Sequence, residues 1–146
     1  MKYKKEIVIT SVIILLFLVI MITTQSSRPK QICFETVCLD IDIAQTPEQL
    51  SNGLMGVTFL PPNSGMLFMF PEESTYSFWM KNTLIPLDII WLSSDLEIVH
   101  IEHAIPCTED PCQTYTPDYP ARYVLETNLN FTVENSISLG DSIRLV

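Results

Sequence analysis

The pattern of apolar and polar positions changes character twice along this chain. Residues 7–24 are almost wholly apolar and carry no charge. As a helix, a run of that length rises about 27 Å, close to the roughly 30 Å hydrocarbon core of a bilayer. From Val37 the spacing switches to period two: Leu39, Ile41 and Ile43 point one way, and Asp40 and Asp42 point the other, as on a half-buried strand. Thr46-Pro47-Glu48-Gln49 then predicts a helix start. Thr46 is the N-cap, Pro47 stands at the first helical position, and Gln49 reaches back to complete a capping box. The helix is short and ends near Gly53 or Gly56.

The remainder predicts strands over 65–70, 76–81, 87–92, 97–104, 122–127 and 142–146. Turn chemistry at 61–64, 71–73 and 93–95 and in the Pro-rich run 106–120 separates them, and Leu139-Gly140-Asp141 turns into the last. The expected fold is therefore mainly β: a compact antiparallel barrel or sandwich with one short helix, preceded by a single N-terminal transmembrane helix.

Charge orients that first segment. Lys2, Lys4 and Lys5 precede it, whereas only Arg28 and Lys30 follow closely. The positive-inside bias puts residues 1–6 in the cytoplasm as a stub, makes 7–24 the anchor and 25–30 a linker, and leaves 31–146 as an extracytoplasmic β domain. The rival is a cleaved signal peptide. Its apolar core is usually ~7–15 residues, shorter than this one, and Thr24 to Ser27 is only a passable cleavage site. Either way the domain is exported. From Arg28 onward five basic residues face sixteen carboxylates, a net charge of −11 against −9 for the whole chain. A field of that sign disfavours nucleic acid and anionic lipid head groups.

The cysteines agree with export. Cys33 and Cys38 share the spacing of Cys107 and Cys112, and an even count at short spacings reads as disulfides in an oxidising compartment. A hairpin around Glu35-Thr36 sets Phe34 opposite Val37 and Cys33 opposite Cys38, at the non-hydrogen-bonded position where side chains come closest. The second pair would staple its own loop. A four-thiolate zinc site is the alternative, which export disfavours.

Several segments then carry a resemblance. Gly53-Leu54-Met55, the run from Gly65 to Phe70, the run from Phe78 through Lys81-Asn82-Thr83 to Pro86-Leu87-Asp88-Ile89, Cys107 to Cys112 with Tyr115, Tyr123 to Glu126, and Gly140-Asp141 occur in that order. Together they closely resemble the domain-of-unknown-function family numbered 192, over roughly residues 37–146. The resemblance implies a compact β-barrel-like fold, often exported, and no assigned activity. Asn130 stands where similar sequences usually have Gly; Asn tolerates a left-handed backbone, so the fold is not put in doubt.

The strongest candidate site is the polar cluster Trp79, Lys81, Asn82, Thr83 and Asp88. In an extended chain Trp79, Lys81 and Thr83 share one face, with Phe78, Met80 and Asn82 on the other. Asp88, set among Ile90 and Leu92, needs a partner, and Lys81 or the backbone N–H groups around Asn82-Thr83 are the nearest donors. A ligand-gripping pocket and a structural turn both fit these residue types. Glu126 is the second candidate: a local salt bridge with Arg122 accounts for it simply, and a general acid–base pair with Asp88 would make it catalytic. His100 and His103, three apart on a strand, point to opposite faces and do not read as metal ligands. Met55, Met66, Met69 and Met80 raise copper(I), although Met is also a common core filler. Asn130-Phe131-Thr132 matches a glycosylation acceptor.

No nucleophile motif, phosphate loop or cofactor signature stands out. The expected function is a membrane-tethered binding or interaction module for a small molecule, a glycan or an envelope protein. An extracytoplasmic hydrolase or lyase using Asp88 and Glu126 is the alternative, and a copper carrier the weaker one.

Overall fold

The computed structural model of the chain describes residues 30–146. In order they form β1 (Lys30–Cys33), β2 (Cys38–Ala44), α1 (Pro47–Asn52), β3 (Ser64–Ser74), β4 (Phe78–Trp79), β5 (Leu87–Leu92), β6 (Ile98–Ala104), β7 (Thr114–Tyr115), β8 (Ala121–Asn128), α2 (Phe131–Glu134) and β9 (Arg144–Leu145). Seven strands make one sheet in the order β6-β5-β8-β3-β2-β1-β9, while β4 and β7 pair separately. The sheet curls so that its two edges approach: Glu97 bridges to Ser142, and the Ile98 N–H donates to the Asp141 carbonyl at 2.8 Å.

The result is a curled half-barrel, and the expectation of an all-antiparallel barrel or sandwich is corrected in one respect. Strands β2 and β3 run parallel, with Ile41 beside Gly65 and Ala44 beside Phe68. A parallel pair needs a crossover connection, which the segment carrying α1 supplies. That helix starts as its residues require. The Thr46 side chain accepts from the Gln49 N–H, and the Gln49 side chain accepts from the Thr46 N–H.

Both faces of the sheet are covered. The concave side packs Ile32, Leu39, Leu67, Ile90, Leu92 and Leu125; the convex side packs Phe68, Met80, Leu87, Ile89, Trp91 and Val124 under α1 and the β4–β7 pair. This is why β5 reads as a continuous run with every residue buried. The first hairpin forms as expected: Cys33 lies opposite Cys38, the two are bonded, and the Phe34 N–H donates to the Val37 carbonyl at 2.8 Å. Cys107 and Cys112 form the second bridge. Both point to an oxidising environment outside the cytoplasm.

Three expectations shift. The predicted strand over 76–81 shrinks to Phe78–Trp79, because Met80 to Thr83 turns back on itself. Strand β3 continues through Pro71 to Ser74, with an irregularity against β8 in place of a break. Helix α2 and strand β7 were not foreseen. The expected transmembrane segment, 7–24, lies outside the described residues; among those described, no helix is long and apolar enough to cross a membrane.

Candidate functional site

Strand β8 sets Glu126 opposite Met66 of β3 and Ile89 of β5, so its side chain leaves the convex face of the sheet. There it forms part of the wall of a cleft of about 200 Å³, together with Gly53, Met55, Phe78, Trp79 and Thr83. Glu126 is 5 % exposed, and its Oε2 is buried with no hydrogen-bond partner. Burial disfavours the charged form and pushes the carboxyl up to about 8 from 4.5. The group is therefore mostly a neutral carboxylic acid at pH 7.

The aromatic wall is held in place by its own packing. Phe78 meets Phe68 edge to face at 4.9 Å and Trp91 at 5.8 Å, and Phe70 stacks on Tyr76 at 3.6 Å. The buried Trp91 donates its indole N–H to the Tyr76 carbonyl at 2.8 Å, pinning the segment before β4. Gly53 matters for the opening. Its φ is +47°, and a Cβ there would stand 2.9 Å from Phe68 Cζ and 3.6 Å from Glu126 Oε2.

Of the predicted cluster, Trp79, Thr83 and Glu126 come together in this cleft. Lys81 and Asn82 do not; they border a separate depression beside the Cys107–Cys112 loop. Lys81 Nζ is 3.4 Å from Asp110 Oδ1 and 5.6 Å from the centre of the Trp79 ring. Asn82 is a turn residue with φ 57°, and its carbonyl accepts from the Gly56 N–H.

Asp88 belongs to the other side of the sheet. It pairs with Thr127, one position out of step with Glu126, and is fully buried. Its expected partners, Lys81 and the backbone at Asn82-Thr83, are replaced. Oδ1 accepts from the Asn130 N–H at 3.0 Å and contacts His103 Nδ1 at 2.7 Å; Oδ2 accepts from the Thr132 N–H at 2.9 Å and hydroxyl at 2.7 Å. Asp88 thus clamps the turn into α2, where Asn130 takes the left-handed conformation at φ 69°. An acid–base pair of Asp88 and Glu126 is not formed, because the sheet separates the two side chains.

The simple account of Glu126 also needs correction. Arg122 lies exposed toward the other end of β8, over the Tyr123 ring at 5.7 Å, and makes no ion pair with Glu126. His100 and His103 do occupy opposite faces, since His100 pairs with Trp91 and His103 with Asp88. The His103 contact was not read from the sequence. Its only signal is the recurrence of a polar residue opposite Asp88. Met69 packs with the concave cluster and Met66 and Met80 with the convex one, so the four thioethers do not all share one side of the sheet. Thr132 of the glycosylation pattern has its hydroxyl committed to Asp88.

Solved structures of similar proteins share this fold. A candidate transcription regulator from Sinorhizobium meliloti 1021 is 32 % identical, with 80 % of this chain and 91 % of that one covered and a TM-score of 0.70. A protein of unknown function from Novosphingobium aromaticivorans DSM 12444 is 28 % identical, with 80 % and 83 % covered and a TM-score of 0.71. No curated protein matches. The profile of domain-of-unknown-function family 192, described as an uncharacterized ACR, matches residues 30–145, and the chain belongs to that family.

Proposed function

We propose that this protein is a membrane-tethered extracytoplasmic binding module whose ligand occupies the cleft beside Glu126. In this reading residues 7–24 are a single-pass anchor with the N-terminus in the cytoplasm, and the β domain faces outward. The observation that carries it is the Glu126 carboxyl: nearly inaccessible, lacking a partner on Oε2, and set in the wall of an open aromatic cleft. A buried polar group without a partner costs about 1–3 kcal/mol, so a site that keeps one is suited to a ligand that completes it.

The dimensions favour a small occupant. A cleft of about 200 Å³ is below the roughly 300–1,000 Å³ of sites for drug-sized ligands. It suits a small molecule, one terminal unit of a glycan, or a single side chain of an envelope protein. Trp79 on the rim and Phe78 behind it supply apolar contact, and Thr83 and Glu126 supply polar contact. The hydrolase or lyase reading wants a second carboxyl in the same cleft, and Asp88 lies on the opposite face. A role on nucleic acid, which the description of the Sinorhizobium relative would bring to mind, sits poorly with a net charge of −9.

The chain has two tryptophans, one buried and one on the cleft rim. Ligand screening by tryptophan emission on the full chain in detergent tests the reading. A ligand should shift the emission of wild type and leave that of Trp79→Phe unchanged. If a broad panel of small molecules, sugars and peptides leaves the emission unmoved, the cleft is not a binding site.

A further inference from the structure

We infer that the cleft selects an organic ammonium group, quaternary or methylated, with the aromatic wall receiving the cation and Glu126 as its counter-ion; this deepens the binding reading above and rests on it. Three observations on the same site carry it. First, the wall combines Phe70, Tyr76, Phe78 and Trp79 with one carboxyl, and no Lys, Arg or His is among its residues. Aromatic faces attract cations, and a desolvated site strengthens that attraction. Second, the carboxyl lacks the protein donor that would otherwise stabilise its anion. A cation held beside it stabilises that anion by charge, and a methylated ammonium that keeps an N–H would also supply the missing donor. Third, the cross-strand row through Glu126 runs Asp42–Met66–Glu126–Ile89–Glu102, so acidic residues flank the site on the same sheet face. In an acidic chain this adds to a field that draws cations inward.

The groups around Glu126 leave its titration readable. Met66 and Ile89 face it across the strands, Gly53 and Thr83 from the covering loops, and Tyr76 is the other titratable residue in the wall. Farther out, Glu102 is engaged by His100, Lys81 by Asp110, and Asp42 and Glu48 are exposed. Burial raises the Glu126 carboxyl to about 8, so binding of a permanent cation must first ionise it. The affinity should therefore rise about tenfold per pH unit below that value and level off above it.

The probes are choline and its neutral carbon isostere, 3,3-dimethylbutan-1-ol, titrated into the full chain by calorimetry between pH 6 and 9. Choline cannot titrate in this range, so its pH dependence reports on the protein. Choline is expected to bind at least tenfold more tightly than the isostere at pH 9, to strengthen with pH, and to release protons on binding near pH 7. Glu126→Gln should bring choline down to the level of the isostere and abolish the pH dependence. Trp79→Ala, on the open rim, should weaken choline several-fold and serves if Glu126→Gln fails to fold. Equal binding of the two probes at pH 9, choline weakening as pH rises, or no binding of choline at all overturns the inference. In those cases a neutral ligand that shifts Trp79 emission would leave the binding reading standing, and silence across the whole panel would remove both.

Discussion

Asp88 and Glu126 lie on neighbouring antiparallel strands, one position out of step, so their carboxyl groups leave the sheet through opposite faces. Each is buried, yet one is bonded by the backbone and side chains of a turn while the other has an oxygen with no partner. The contrast favours Glu126 over Asp88 as the group that a ligand would meet. A carboxylate satisfied on both oxygens has nothing left to offer a ligand, whereas an unsatisfied one beside an opening does.

Removing the Asp88 carboxyl should be costly. Asp88→Ala would strand the Thr132 N–H and hydroxyl in a buried position and leave the part-buried Asn130 N–H without its acceptor. A loss of about 3–4 kcal/mol in unfolding free energy is expected by urea titration. Lys81→Ala, which breaks an exposed pair with Asp110 and the contact over the half-exposed Trp79 ring, should change stability by less than about 1 kcal/mol. Comparable losses in the two variants would refute the assignment of Asp88 to the scaffold.

Glu126 makes stability depend on pH with a definite sign. Its folded-state value is raised from 4.5 to about 8, so the folded chain binds more protons than the unfolded one between those limits. Its contribution is full below about pH 4.5 and is lost as pH rises to about 8. At about 1.4 kcal/mol per unit the whole swing is on the order of 5 kcal/mol as an upper figure. Denaturation of Glu126→Gln across this range should show that slope flattened, and the variant should surpass wild type above pH 8. An unchanged slope would mean that the carboxyl is solvated.

Gly53→Ala tests the opening of the cleft. The added methyl would push against Phe68 and adopt an unfavourable positive φ, for a loss of about 1–2 kcal/mol. It should also abolish ligand-induced changes in Trp79 emission. Gly65→Ala is expected to be worse, because its Cβ would stand 2.7 Å from the Glu126 carbonyl and force β3 from β8. Its melting temperature should fall well below that of Gly53→Ala.

Reduction should weaken the domain through both bridges. Each closes a short loop, so a loss of at most ~2–3 kcal/mol per bridge is expected, read by urea titration with and without reductant. Mass spectrometry of peptides from unreduced protein should show Cys33 linked to Cys38 and Cys107 to Cys112. Any cross-pairing would contradict the hairpin register.

What the sequence revealed depended on the range of the contact. The capping box at Thr46 to Gln49, the Cys33–Cys38 hairpin and the limits of β5 are local, and the residues that form them stand within a few positions of one another. The Asp88 clamp joins residues about forty positions apart, across a connection that periodicity does not describe. The expected Arg122–Glu126 salt bridge rests on the rule that a polar residue in a strand faces solvent. That rule holds for a strand covered on one face, and β8 is a central strand with both faces covered. The parallel β2–β3 pair was missed for a related reason, since antiparallel neighbours are the common outcome for short strands and α1 spans only Pro47–Asn52.

The pairing of β1 with β9 bears on how the domain is made. The Gln31 and Val146 backbones exchange hydrogen bonds of 3.1 and 2.9 Å, so the strand that emerges first meets its outer neighbour only after almost everything else has been synthesised. A nascent chain would display β1 with one edge vacant throughout that interval. Long-range pairings of this kind slow folding, and vacant strand edges recruit other chains. Completion of this sheet therefore carries a built-in waiting period, during which protection of the open β1 edge would matter more than the stability of the finished fold.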